Sequence, residues 1–174
     1  MIVERLTQCA RRYCDWAESD THDLKTAYEL LLSLRDASER LQSSSNPPDL
    51  CAWRERPEDV HYQETRRFGD FPFQCYPASY WPHRPLPLTD DIHQNFAWIH
   101  GELRHGLERM GRSDIANVSE FWNHSYMFRW GHHLSAAIWA IEWHMNGEPD
   151  VAPNCGPVGL TEMSNASNGP PSMN

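Results

Sequence analysis

Histidines are the residues of this chain whose type and spacing come nearest to chemistry. The sequence holds ten of them, and seven lie within residues 93–144. Imidazole is the commonest metal ligand in proteins and an acid or base near neutral pH. Glu102 and His105 have the E-x-x-H spacing of di-iron helical bundles, and Glu120 and His124 are four residues apart on another predicted helix. These pairs are the first candidates for a metal site.

The candidate pairs lack the partners that such a site requires. A di-iron bundle needs a second E-x-x-H motif and two further inward glutamates, and we find only one such motif. Neighbouring helical residues project about 100° apart, so we do not expect His132 and His133 to bind one ion together. The sequence also has no G-x-S-x-G motif, no protease-like cysteine context and no glycine-rich phosphate loop. We therefore predict no catalytic residues, no metal, no cofactor and no enzymatic activity.

The five cysteines predict reduced thiols. Their number is odd, their spacing is irregular, no C-x-x-C occurs, and the N-terminus has no export signal. Such thiols are typical of the cytoplasm, which is the location we expect. Charges interrupt every apolar run well short of the ~18 residues of a membrane span. The cysteines are Cys9, Cys14, Cys51, Cys75 and Cys155.

The charge balance limits the classes of partner. The chain has 24 acidic against 15 basic residues, a formal net charge of −9. Nucleic-acid binding relies on clustered Lys and Arg, so we expect neither nucleic-acid nor membrane binding. A basic protein partner is compatible with this charge. However, the acids are mixed with bases along the chain, and a solvated acidic surface explains them equally well.

The sequence pattern predicts that the candidate residues lie on helices. Apolar residues recur every three or four positions over residues 2–18, 24–42, 92–110 and 114–145. Capping residues precede the later helices, with Ser19, Asp20 and Thr21 before the second and Thr89 before the third. The pattern predicts an all-α, single-domain bundle of four to six helices over residues 1–146. The Pro-, Gly- and Ser-rich residues 147–174 predict an irregular or disordered tail.

A proline- and aromatic-rich segment separates the helices. Residues 71–87 hold five prolines among their aromatics, so we expect an irregular loop that its aromatic rings pin to the bundle. A short helix over residues 56–68 is predicted before it, with Pro57 at its first position.

The densest aromatic stretch runs through residues 121–134 and predicts either a buried core or a recognition surface. Arg129 within it needs an acid, for which Glu102 and Asp91 are the candidates. Gly131 in a helix costs about 1 kcal/mol relative to alanine, which close packing of another backbone would offset.

A resemblance to a known family rests on residues 88–141. The quoted features are Leu-Thr-Asp-Asp-Ile at 88–92, Leu-Arg-His-Gly-Leu at 103–107, the aromatic run at 122–130 followed by Gly131, and Ala-Ala-Ile-Trp-Ala-Ile at 136–141. This region resembles bacterial domain-of-unknown-function family 5063. The loop near Tyr80 is also similar. The resemblance implies a helical bacterial domain and carries over no catalytic residues.

These observations favour a non-enzymatic binding protein of the bacterial cytoplasm. The specific function we favour is an immunity protein that neutralises a secreted antibacterial toxin by direct contact. The alternatives are a housekeeping accessory protein of a complex and a His-rich, metal-dependent enzyme or sensor. The predicted partner-binding residues are Asp90, Asp91, Glu102, Glu108 and Trp81.

Overall fold

The computed structural model describes residues 2–44, 65–77, 89–110 and 115–146. Its helices are α1 (Ile2–Ala17), α2 (Leu24–Ser44), α3 (Ile92–Met110), α4 (Ile115–Ser125) and α5 (Gly131–Met145). A π-helical segment, Tyr126–Trp130, joins α4 to α5. The prediction of an all-α bundle of four to six helices is confirmed. Among the described residues, no helix is both long and apolar enough to cross a membrane.

The first two helices form the predicted antiparallel hairpin. Arg5, near the start of α1, donates to the Asp36 carboxylate in the second half of α2 at 2.7 Å, as an antiparallel pairing requires. The capping residue of α2 differs from the prediction, because Asp23 accepts from the Thr26 backbone N–H at 2.9 Å. Hydrogen bonds from the backbone and the side chain of Thr26 lower the pKa of Asp23. Proximity to the helix decides the cap, and Asp23 stands next to the first helical residue.

Helix α3 lies at the centre, in contact with both α1 and α5. Its apolar face is buried at Ile92, Phe96, Ile99 and Leu103, four of the positions that the sequence pattern predicts. The Tyr13 hydroxyl of α1 donates to the Phe96 carbonyl at 3.2 Å, which fixes the two helices against each other. Helix α5 is buried on several sides, as its nearly continuous apolar sequence predicts; its buried residues are Leu134, Ala136, Ala137, Ile138, Ala140 and Ile141.

Residues 65–77, here called the strap, cross the bundle. They begin with a 3-10 turn, Thr65–Phe68, and end in β1 (Cys75–Pro77), which pairs antiparallel with β2 (Thr89–Asp91). The prediction of a wholly irregular segment over residues 71–87 is therefore wrong at β1. The predicted pinning is confirmed within the strap, because Phe71, Phe73 and Tyr76 are buried. The rest of the segment, most of the predicted helix at 56–68 and the tail at 147–174 lie outside the described residues.

The cysteines do not all behave as predicted. Cys9 and Cys14 are free thiols, as expected, and burial raises the pKa of Cys9. Cys75 is in a disulfide bond, so the prediction of a reduced thiol is wrong there. Its bonding partner is not among the described residues. Spacing along the chain carries no information on which cysteines meet in space.

Candidate contact site at the π-turn

The α-helical geometry is interrupted within the aromatic run of the sequence. Between α4 and α5, residues Tyr126–Trp130 wind as a π-helix, here called the π-turn. Its defining hydrogen bond runs from the Gly131 backbone N–H to the Tyr126 carbonyl. Such turns insert an extra residue into a helix and are frequent at functional sites. The extra residue changes which side chains face the core after this point.

Glycine is required where the π-turn ends. A Cβ at Gly131 would lie 2.4 Å from the Tyr126 carbonyl oxygen and 3.2 Å from the Tyr126 ring. The sequence predicted close packing of another backbone here. The close backbone instead belongs to the same helix, at the residue that accepts the π-type hydrogen bond.

An ion pair between Arg129 and the buried Glu102 holds the π-turn on α3. The Glu102 side chain of α3 is only 1% exposed, and it accepts from Arg129 Nε at 2.8 Å. Ser125 Oγ donates to the other carboxylate oxygen at 3.1 Å. Of the two acids that the sequence offered to Arg129, the structure selects Glu102. Because both ends of the π-turn are tied to one carboxylate on α3, the turn has a fixed position on the bundle.

The fixed turn carries an apolar tip, which we define as Met127 and Phe128. Met127 is 47% exposed and Phe128 is 48% exposed. The Phe128 ring packs against the His124 ring with centroids 4.9 Å apart, so Phe128 is held on one side. The neighbouring aromatic residues Phe121, Trp122 and Trp130 are buried. The aromatic run is therefore both core and surface, and the π-turn separates the two parts.

The tip lies among mixed charges. Desolvation lowers the pKa of His124, the Arg129 charge lowers it further, and the exposed Glu120 carboxylate opposes them. The net lowering of the pKa favours the neutral form of the imidazole. An uncharged ring beside Phe128 extends the apolar surface, with a carboxylate one helical turn away.

The predicted partner-binding acids are not brought together. Asp91 immediately precedes α3, and its carboxylate accepts from the His93 backbone N–H at 2.8 Å. Glu108 is exposed near the other end of α3, with Arg104 at 3.7 Å, and about 25 Å of helix separates it from Asp91. The prediction of Glu102 as a surface acid is wrong, because that carboxylate is buried under the π-turn.

Two of the predicted partner-binding residues are not tested. The backbone of Asp90 pairs with Tyr76 in the strands, but its side chain falls outside the described part of the chain. Trp81 falls outside it as well.

The histidine pairs also differ from their expected arrangement. Glu102 is occupied by Arg129, while the His105 ring meets Phe121 edge-on at 5.5 Å. The rings of His132 and His133 come within 3.9 Å of each other, although their positions on a helix predicted divergence. Side-chain rotation brings them together. Across residues 2–44, 65–77, 89–110 and 115–146, no group of three or more His, Cys, Asp or Glu side chains has an arrangement that holds a metal ion.

Met127 and Phe128 were not singled out from the sequence. They lie inside a run whose other members are core residues, and hydrophobicity alone does not distinguish them. The sequence feature that could have indicated the site was the presence of both Arg129 and Gly131 within an apolar helix. Each residue type is costly there unless a specific partner or geometry requires it.

No protein-family model, curated protein or solved structure matches this chain. The resemblance to family 5063 remains a prediction.

Proposed function

We propose that this protein acts by direct contact with another protein and that Met127 and Phe128 are its anchors. The observation that carries the proposal is an adjacent pair of large apolar side chains, each nearly half exposed, on a turn tied down by a buried ion pair. Anchors of this kind contribute most of the binding free energy when they enter a pocket. A turn that is already ordered loses little conformational entropy on binding.

The partner we propose has an apolar pocket bordered by basic side chains. The net charge of −9 attracts a basic protein and accelerates its association. Glu120, exposed near His124, supplies a carboxylate beside the tip. The same charge opposes a second copy of this chain as the occupant, because two molecules of −9 repel each other.

Immunity is the specific function that we propose for this contact. In this account the protein belongs to family 5063, resides in the bacterial cytoplasm and neutralises a secreted antibacterial toxin by covering its surface. The acidic charge and the rigid apolar tip support capture of a basic toxin domain. The Cys75 disulfide argues against a reducing compartment, so the location is tested by cell fractionation.

Co-expression tests this function directly. A candidate toxin encoded beside this gene is expressed in a sensitive host, alone and together with this chain. We expect growth arrest by the toxin alone and rescue by the wild-type protein. A Met127→Ser, Phe128→Ser double variant should fail to rescue.

The matched control is Met145→Ser, which changes a more exposed methionine, 58% exposed, outside the tip. It should rescue as the wild type does. Rescue by the double variant at equal expression would refute the tip as the contact site. A toxin that the wild-type protein does not counteract, despite good expression, would refute the immunity function.

A further inference from the structure

Three methionines with described side chains have different surroundings. Met127 is 47% exposed on the π-turn, and Met145 is 58% exposed at the end of α5. Met110, at the end of α3, is partly buried and packs against the core, and its Sδ lies 3.2 Å from Thr7 Oγ1 of α1. Reagents in solution therefore reach Met127 and Met145 more readily than Met110.

A thioether is oxidised by peroxides to the sulfoxide. The sulfur attacks one oxygen of hydrogen peroxide, so that an S–O bond forms and the O–O bond breaks. The hydroxide that leaves takes the proton of the transferred oxygen and becomes water. The sulfur loses two electrons and the peroxide gains them. The product is polar and chiral, whereas the original side chain is apolar.

The free thiols of α1 compete poorly for such an oxidant. Cys14 is buried, and Cys9 is only partly exposed. Burial also raises the pKa of the Cys9 thiol, and the thiolate rather than the thiol is the nucleophile. Among the described residues, the thioethers of Met127 and Met145 are therefore the sulfur groups most accessible to peroxide.

The protein already carries one product of a two-electron oxidation. The Cys75 disulfide forms when a pair of thiols loses two electrons, and bonds of this kind persist in oxidising surroundings. A chain that keeps such a bond meets oxidants where it works. Its exposed methionines meet the same oxidants.

We propose that Met127 is a modification site, where oxidation by peroxide weakens the contact that the apolar tip makes with its partner. This inference rests on the function proposed above. A sulfoxide at Met127 places a strong hydrogen-bond acceptor on a side chain that enters an apolar pocket. Burial of an acceptor without a donor is unfavourable, and we expect a loss of affinity of about tenfold or more.

Oxidation of Met127 leaves the π-turn in place. The turn is attached through the side chains of Arg129 and Ser125, which bond to the Glu102 carboxylate. Met127 takes no part in these bonds. Its side chain is nearly half exposed, so a sulfoxide there stays hydrated in the free protein. The modification therefore changes the chemistry of the tip and not its position.

Peptide mapping by mass spectrometry tests the site. The full chain is treated with hydrogen peroxide at neutral pH, and the oxidised fraction of each methionine is followed with time. We expect Met127 and Met145 to oxidise several-fold faster than Met110, with the unfolding midpoint at the value of the untreated protein. Equal rates at Met127 and Met110 would overturn the site.

Binding of the purified candidate toxin tests the effect on the contact. Its dissociation constant is measured with untreated protein and with protein that was oxidised and then freed of peroxide by catalase. Oxidation should weaken binding by wild type and by Met145→Leu about tenfold or more, since both keep Met127. For Met127→Leu the two constants should agree with each other, whatever their absolute value, because leucine has no sulfur to oxidise.

Two binding results would overturn the proposal. They are equal affinity of the oxidised and untreated wild-type protein, and a loss on oxidation that Met127→Leu shares. Failure of the untreated protein to bind the toxin would refute the proposed function and, with it, the control of binding by oxidation. The two failures are distinguishable, because the untreated protein decides the function and the oxidised protein decides the effect of the sulfoxide.

Discussion

Two irregular segments, the π-turn and the strap, are attached to the helical bundle by different chemistry. The π-turn is held by Arg129 on the buried carboxylate of Glu102. The strap is held by Asp70 on His22, by the Tyr76 hydroxyl on Asn95 and by the pairing of β1 with β2. Arginine stays protonated at every pH that a protein meets, whereas histidine titrates near neutrality. The π-turn therefore rests on a permanently charged side chain, whereas the strap does not.

The permanent charge of Arg129 matters most for the position of the apolar tip. A permanent attachment keeps Met127 and Phe128 in one position, which favours tight contact because little entropy is lost on binding. The strap is held by several separate contacts, which include the buried hydrogen bond from Asn95 to the Tyr76 hydroxyl and the Cys75 disulfide. In both cases the segment is held by a residue of the bundle that is distant in the sequence. This residue is Glu102 for the π-turn and His22 for the strap.

The largest effect is expected from removal of the permanent attachment. Glu102→Ala leaves the Arg129 charge partly buried without its acid, and breaking such a pair costs about 3 kcal/mol. Denaturant unfolding monitored by tryptophan fluorescence measures the loss. The matched control is Glu108→Ala on the exposed face of the same helix, which should stay within about 0.5 kcal/mol of the wild type. Equal losses in the two variants would mean that the buried pair does not hold the π-turn.

A smaller loss is expected from Gly131→Ala. The new Cβ would meet the Tyr126 carbonyl oxygen at 2.4 Å, and forced repacking of this kind costs about 1–3 kcal/mol. The higher helix propensity of alanine offsets about 1 kcal/mol of this cost. We therefore expect a net destabilisation of about 1 kcal/mol. Thermal unfolding measures the balance. A variant more stable than the wild type would show that the π-turn relaxes to an ordinary α-helix at little cost.

The smallest effect on stability is expected at the strap. Asp70→Asn removes a carboxylate that is 45% exposed, so the loss at pH 7 should be about 0.5 kcal/mol. Because His22 lowers the pKa of Asp70, the contribution of this acid is present above pH 3.8 and is lost as the pH falls through the lowered pKa.

The stability difference between wild type and Asp70→Asn should therefore shrink in strong acid, which denaturant unfolding from pH 7 to pH 3 measures. Asp20→Asn, an exposed acid of the same α1–α2 turn, is the control and should change stability little at any pH. A difference that stays constant over this range would contradict the ion pair.

The helices were predictable because their signal is local. Apolar residues at a 3.6-residue period place α1, α2 and α3 within a few residues of their observed bounds. The pinning of Phe71 and Phe73 was predictable for a similar reason, since aromatic rings in a proline-rich segment need a core to pack against. The β1–β2 pairing was not, because it joins short segments through backbone groups that any sequence supplies.

The site was predictable only in fragments. That Arg129 requires an acid follows from its surroundings in the sequence, but the identity of Glu102 does not, since the two residues are 27 positions apart. The same residue was predicted as a partner-binding acid, because a charge is more often exposed than buried. Met127 and Phe128 are exposed on the π-turn, which this distant pair holds on α3.

Quantitative affinity capture tests most directly whether the tip binds a partner. Tagged wild-type protein, the Met127→Ser, Phe128→Ser variant and Met145→Ser are incubated at equal concentration with lysate of the source organism and read by mass spectrometry. Our account predicts a basic protein enriched equally by wild type and Met145→Ser and lost with the double variant, whose unfolding midpoint stays at the wild-type value. Retention of that same protein by the double variant would contradict the tip as the binding surface.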